Sequence, residues 1–271
     1  MIDWLVTHEA QVRSGFFFSL LILFMLLEAK FPKCVRRHSR KSRWTANIGL
    51  VFVNSITIRL VMPLATIGVA QYAQAQGFGL FNMWQVHPLM VFVVTIIVFD
   101  CAIYWQHRLF HAIPILWKLH RVHHVDQDID VTTGSRFHPI EICLSLLIKF
   151  ALVLFIGPSM IAVMVFEIIL NGMAMFNHAN LFLSNRWDQR IRRWLVTPDM
   201  HRVHHSTIRS ESDRNFGFNL SCWDRWFGSY QAQPSLGHDD MHIGVADFTD
   251  PKQTQRLGPM LWLPFSKPAH E

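Results

Sequence analysis

Residues 86–124 read VHPLMVFVVTIIVFDCAIYWQHRLFHAIPILWKLHRVHH. The first part, 86–105, is an apolar run of bilayer-spanning length, which takes about 20 residues. Directly behind it come His107, His111, His120, His123 and His124. On a helix, positions i, i+3 and i+4 share one face. His107 and His111 therefore point together, as do His120, His123 and His124. A span with a histidine-rich helical segment at its mouth decides the fold class. The chain reads as an all-α integral membrane bundle with a histidine-rich helical cap that holds a dimetal site.

The rest of the sequence fits that reading. Of 271 residues, 51% are hydrophobic and 16% charged, against roughly 25% charged in a soluble domain. Residues 15–29, GFFFSLLILFMLLEA, form a first, rather short apolar run. Asp3 and Glu9 precede it and no small-residue cleavage site follows, so a retained helix is expected rather than a signal peptide. A second run covers 46–70 and tolerates Arg59 and Pro63. Residues 140–176 are too long for one span, and Gly157, Pro158 and Ser159 break them near the middle. They read as a helical hairpin. Met160, Met164, Met173 and Met175 on its arms are candidates for lining a lipid path.

Charge placement orients the bundle. Residues 30–43 hold seven Lys or Arg and no acid, so the positive-inside rule puts this loop in the cytoplasm. Residues 71–85 carry no charge and belong outside. The span at 86–105 then returns the chain to the cytoplasm, and the hairpin keeps 106–139 and 177–271 on that side. Those two regions hold fifteen Lys or Arg. The expected division is 1–99 for N-terminal spans and the basic loop, 100–230 for a catalytic domain with its hairpin, and 231–271 for a cytoplasmic tail. The net charge of +6 suits an anionic membrane surface rather than nucleic acid.

The histidine motif recurs. HRVHH stands at 120–124 and again at 201–205, with His201, His204 and His205 on one helical face. Imidazole nitrogen is a good ligand for iron, zinc, copper or nickel. Eight histidines from three boxes exceed the needs of one ion and suit two, with neighbours such as His123 and His124 facing different metals. His138, in FHPIE, and His178, in NHAN, lie where the hairpin enters and leaves the membrane, so both are further candidates. His138 could instead partner Glu141. His8, His38, His87, His238, His242 and His270 read as structural or exposed. The four Cys are isolated, with no thiolate zinc spacing. HExxH, GxSxG, Walker A and a dinucleotide GxGxxG are absent. Oxidising an unactivated C–H bond needs a redox metal, because no side-chain acid or base can do it.

HRLFH, HRVHH, FHPIE, NHAN and HRVHH, in that order, resemble the fatty acid hydroxylase / sterol desaturase superfamily of membrane di-iron enzymes. NFGFN at 215–219 and WDRWFGSY at 223–230 resemble the segment after the last box. The resemblance runs over about 100–230. It implies two Fe ions, O2 as co-substrate, a membrane lipid as substrate, and hydroxylation or desaturation as the reaction. It also implies His107, His111, His120, His123, His124, His201, His204 and His205 as ligands, with His178 and His138 as additions. Some members carry a paired HxxxH where this chain has only His178, with Ala174 and Phe182 at the flanking positions. Either His138 completes the set or one metal keeps an open position. No HPGG-type haem domain is present in the sequence, so electrons are expected from a ferredoxin- or cytochrome-type donor and its reductase. The cations Arg186, Arg190, Arg192 and Arg193 are the candidate docking surface, with contact to lipid headgroups as the alternative reading. A zinc-dependent membrane hydrolase or a non-catalytic metal-binding membrane protein would use the same ligands. Anaerobic turnover separates the first, and loose metal retention the second.

Overall fold

The computed structural model describes residues 2–84 and 86–267, so His270 lies outside the described residues. They form helices and turns, with isolated bridges but no strand. The chain opens with α1 (Ile2–Thr7), α2 (Glu9–Lys30), α3 (Arg40–Val61), α4 (Thr66–Gln76), α5 (Leu80–Met83) and α6 (Pro88–Ala112). Then come α7 (Pro114–His124), α8 (Pro139–Ile156), α9 (Met160–His178), α10 (Asn185–Ile191) and α11 (Pro198–His204). Five short helices complete the cap: α12 (Arg209–Ser212), α13 (Cys222–Trp226), α14 (Gly237–Asp240), α15 (Pro251–Thr254) and α16 (Leu257–Trp262). Five stretches among the described residues are long and apolar enough to cross a membrane: Glu9–Lys30, Arg40–Met83, Pro88–Ala112, Pro139–Ile156 and Met160–His178.

The spans differ from the apolar runs in instructive ways. α2 begins six residues before the run at 15–29, so the first span is long enough at 22 residues, about 33 Å. Pro63 is not tolerated inside the second. Its ring disfavours helical backbone at the preceding residue, and Met62 sits at φ −134°, ψ 72°. α3 stops there, and the chain resumes as the separate α4. α6 runs past the apolar stretch to Ala112, so His107 and His111 ride on the last turns of a span. The hairpin breaks where Gly157 and Pro158 predict. Gly157 takes φ 70° to end α8, and the Ser159 hydroxyl accepts from the Ala162 amide at 3.3 Å to start α9. Gly79 packs on that tip, and a Cβ on Gly79 would stand 2.2 Å from the Gly157 nitrogen. The segment after α4 is thus pinned at the end of the bundle away from the histidines.

Phe99, Val153, Val163 and Phe166 fill the bundle between α4, α6, α8 and α9, and the rings of Phe99 and Phe166 meet edge-on at 5.2 Å. Outward faces are apolar too: Leu26, Phe52, Leu60, Leu89 and Phe155 are 64–77% exposed. Leaving such side chains in water forgoes about 1.5–3 kcal/mol each, so this surface belongs against acyl chains. The protein is an integral membrane protein.

A buried ion network joins bundle to cap. Arg43, on the first turn of α3, pairs with both oxygens of Asp126 at 2.8 Å and with Asp130 at 2.6 Å. It also donates to the Asp128 carbonyl. Burial alone would raise the Asp126 carboxyl, but Arg43 and Arg136 overcome it and hold that group well below the usual carboxylate range. Arg136 donates to the Val122 carbonyl at 2.7 Å and to Thr254. Residues 231–267 fold back on this network rather than trailing from it. Phe248, Met260 and Leu263 pack with Leu50, Val122 and Val125, and Arg121 donates to the Leu263 carbonyl at 2.6 Å.

Candidate metal centre

Each histidine position is fixed by a helix. α6 delivers His107 and His111 one turn apart, α7 delivers the first HRVHH, α9 ends at His178, and α11 carries His201 and His204 with His205 as its C-cap. The rings gather into two groups. His107, His111, His120, His124 and His204 form one, and His123, His178, His201 and His205 the other, with the ligand atoms of each within 4.8 Å of one another. All nine are buried. The neighbours His123 and His124 face different groups, as do His204 and His205. The two HRVHH motifs are used reciprocally: the first gives two rings to the five-membered group and one to the other, and the second does the reverse.

The hydrogen bonds on the far side of the rings decide what these groups can hold. His107 Nδ1 donates to the Phe216 carbonyl at 2.8 Å, and His120 Nδ1 donates to Glu141 Oε1 at 2.6 Å. With the protons on Nδ1, both Nε2 atoms present lone pairs, yet they stand 3.1 Å apart. No proton bridges two lone pairs in this state; a metal cation between them would satisfy both. His178 repeats the pattern, its Nδ1 donating to the Ala174 carbonyl at 2.6 Å. Its Nε2 is 3.0 Å from that of His123 and 2.9 Å from that of His201. His204 Nδ1 donates to the Arg214 carbonyl at 2.8 Å, leaving a buried Nε2 without a partner among the described residues. His111 Nδ1 faces Asp213 at 3.2 Å. Imidazole ligands about 2.0–2.1 Å from one ion stand roughly 3.0–3.4 Å apart, so the nitrogen spacing fits a metal in each group. Burial, reinforced by the neighbouring imidazoles, holds His123, His124, His201 and His205 well below the usual histidine value. It pushes His204 down to about 3. The rings are neutral and ready to bind.

His138 is not among them. It caps α8, its Nδ1 accepting from the Ile140 amide at 3.2 Å while Nε2 donates to the Leu261 carbonyl at 3.2 Å. Both ring nitrogens are engaged, because a residue directly before a helix-starting proline is placed to cap. Glu141 accepts from His120, not from His138. The sequence reading did not identify Asp213 or the carbonyls of Ala174, Arg214 and Phe216 as partners. Carbonyls leave no side-chain signal; Asp213, an acid soon after the last box, did. Phe216 is held in place from behind: Asp224 accepts from the Phe216 and Gly217 amides at 2.7 and 2.9 Å.

A cavity of about 280 Å³ opens against the five-histidine group, where His107, His120, Phe110, Phe137, Glu141 and Phe218 line it. It continues between α3, α8 and α9 as far as Lys149 and Asn171. Met160, Met164, Met173 and Met175 are not in its wall; Met164 packs in the bundle core. α9 contributes Leu170, Asn171 and Ala174 instead, because that face of the helix turns inward. On the cap surface Arg186, Arg190 and Arg193 are exposed, but Arg192 is buried and paired with Asp188 at 2.5 Å.

Comparison with known proteins agrees with this geometry. Human alkylglycerol monooxygenase (Homo sapiens) is 33% identical over 134 residues, 49% of this chain and 29% of that protein. The ornithine lipid hydroxylase OlsE of Rhizobium tropici is 26% identical over 183 residues, 67% of this chain and 54% of that one. Lathosterol oxidase of Homo sapiens is 24% identical over 262 residues, 94% of this chain and 83% of its own length. The chain thus spans less than a third of the first relative and about half of the second. No solved structure gives a significant match. The fatty acid hydroxylase family model matches residues 92–229, just over half of the chain and every histidine of both groups. The chain belongs to the fatty acid hydroxylase family.

Proposed function

We propose that this protein is an O2-dependent, non-haem di-iron oxidoreductase that hydroxylates or desaturates a membrane lipid. The observation that carries the reading is the cavity inside the membrane bundle that ends on the five-histidine group. The relatives, a monooxygenase, a hydroxylase and an oxidase of lipids by name, support the same class. Two iron ions, one per group, would be held by the nine gathered histidines, with His138 left to its cap. Bound there, they supply the redox chemistry toward O2 that no side chain provides.

The chain's own residues do the rest. Glu141, Asp213 and the three carbonyls hold the Nδ1 atoms of five of the nine histidines, His107, His111, His120, His178 and His204, and so aim those Nε2 atoms inward. Phe110, Phe137 and Phe218 exclude water from the cavity mouth, and the cavity holds one carbon of the lipid beside the His107–His120 edge. The cap lies on the cytoplasmic side and the N-terminus outside, a reading supported by the seven cations of residues 30–43. Residues 100–230 act as the catalytic unit. Two electrons per turnover come from a separate ferredoxin- or cytochrome-type carrier that docks on the cap. Arg186, Arg190 and Arg193 offer an exposed basic face for it, without Arg192.

The test is a lipid profile of membranes with and without the protein, under air, with iron and a reducing system. The expected product differs from a membrane lipid by one added oxygen or two lost hydrogens, and its formation stops without O2. Turnover that persists anaerobically would replace the oxygenase by a hydrolase. Sustained oxidation with no reductant would sink the di-iron reading.

A further inference from the structure

A second cavity, of about 360 Å³, lies in the cap on the side where α2 and α9 leave the membrane. Lys33 follows the end of α2 by three residues and Asn180 follows the end of α9 by two. The two segments are stitched together, with the Cys34 amide donating to Asn180 Oδ1 at 2.9 Å and Asn180 Nδ2 donating back to the Cys34 carbonyl at 2.8 Å. Lys33, Arg36, Arg37 and Arg202 line the cavity with Asp128 and Asp239; Lys33 pairs with Asp199 at 2.8 Å and Arg36 with Glu28 at 3.2 Å, which leaves Arg37 and Arg202 as the lining cations without a carboxylate partner among the described residues. Asp128 is already engaged: its oxygens accept from the Arg37 and His38 amides at 2.6–3.0 Å.

Arg202 is the decisive residue. It is 3% exposed, and among the described residues no carboxylate pairs with it. Its recorded partner is the Cys34 sulfur, 3.0 Å from a terminal nitrogen, and its Nε has none. A buried charge is expected to be paired. Around the same space Arg36 Nε is also buried without a hydrogen bond among the described residues, and the His238 ring, 4.0 Å from Asp199, makes none either. These donors approach from three separate chain segments. A planar carboxylate matches one guanidinium fork, whereas a tetrahedral oxyanion can accept from several directions at once. At the cavity's lip Val35 is 95% exposed, and Phe31 and Phe182 beside it are 47% and 54% exposed. An apolar lip directly behind two span ends suits the boundary between headgroups and acyl chains.

We infer that this cavity binds the phosphate group of a membrane lipid, with Arg202 and Arg37 as its main contacts and the acyl chains leaving over Val35. The site is separate from the cavity at the histidines and does not depend on the reaction proposed above. A lipid held here ties the ends of α2 and α9 to the bilayer and so sets the height of the cap.

The experiment uses the full chain in an uncharged detergent, with dihexanoyl phosphatidic acid, dihexanoylglycerol and inorganic phosphate as probes. Dihexanoyl phosphatidic acid is expected to bind saturably and raise the melting temperature, and dihexanoylglycerol to do neither. Arg202→Gln and Arg37→Gln should each weaken that binding by roughly tenfold or more. Arg37 is exposed, so its variant keeps the test standing if Arg202→Gln does not fold. Inorganic phosphate binding as tightly as the lipid would overturn the lipid source and leave a soluble anion. Absence of saturable binding, binding indifferent to both substitutions, or displacement of the lipid by polyglutamate in favour of an acidic protein partner would overturn the site as inferred.

Discussion

The Nδ1 of His120 and the Oε1 of Glu141 are 2.6 Å apart, both buried, at the junction of α7 and α8. The carboxylate fixes the imidazole tautomer and turns its Nε2 toward the metal group. Removing such an outer partner commonly lowers metal affinity 10–100-fold. Glu141→Ala is therefore expected to weaken iron binding by about that factor, while Glu141→Gln, which keeps an acceptor oxygen, loses less. Equilibrium dialysis against a chelator measures both. Equal affinity in Glu141→Ala and the parent protein would remove Glu141 from the centre.

The two groups make separable predictions. Substituting Ala for His124 should empty the five-histidine group, and substituting Ala for His123, its direct neighbour, the other one. Each variant is expected to retain about one ion where the parent holds two, and both to be inactive. Elemental analysis of the purified variants checks this. One ion or none in the active parent protein would defeat the two-metal assignment, and His138→Ala should retain both ions.

Acid should unfold the metal-free protein early. His123, His124, His201, His204 and His205 all have folded-state values below the ordinary one near 6.5. Below that pH the unfolded chain takes up protons that the native rings refuse. Stability is thus complete above about pH 6.5 and falls as pH drops, by up to about 1.4 kcal/mol per unit for each ring. Chemical denaturation at pH 7.5, 6.5 and 5.5 should show a steep decline only below the middle value. A flat profile would mean that the rings are not buried neutral.

The Arg43–Asp126 pair offers a stability test away from the metals. Asp126→Asn leaves Arg43 and Arg136 short of a buried counter-charge, and breaking a buried pair in this way costs about 3–5 kcal/mol. A large drop in melting temperature is expected, and a shift of under a degree would contradict the network's role.

Reporter fusions at residues 36, 78 and 215 should read cytoplasmic, external and cytoplasmic. Position 78 is at the hairpin-tip end of the bundle, where a Cβ on Gly79 would meet Gly157. External readings at both 36 and 215 would invert the proposed orientation, and opposite readings at the two would defeat the hairpin arrangement.

Much of this architecture was legible because the signals are local. The i, i+4 spacing of His107 and His111 places both on one face whatever surrounds them, and Gly157-Pro158 ends a helix by its own backbone preferences. Pro63 was legible too, but its effect on the second run was underestimated: a missing amide and a pre-proline clash outweigh hydropathy. His138 shows the opposite failure. Its position beside the boxes favoured a ligand, while Pro139 after it favoured a cap, and the cap prevailed because it engages both ring nitrogens. The fold-back of residues 231–267 rests on long-range contacts such as Arg121 with the Leu263 carbonyl, which no local pattern encodes. Arg202 reads as ordinary within HRVHH, and only its burial beside Cys34 sets it apart.

The reciprocal use of the two HRVHH motifs bears on how the protein is made. The five-histidine group needs α6, α7 and α11; the other needs α7, α9 and α11. Neither is complete before α11 is synthesised and docked, although α6 and α7 already carry four of the five histidines of the larger group. The smaller group has no more than His123 and His178 until then, so its two remaining histidines arrive last. The sequence separation of the two motifs thus makes the smaller group the last part of the centre to form.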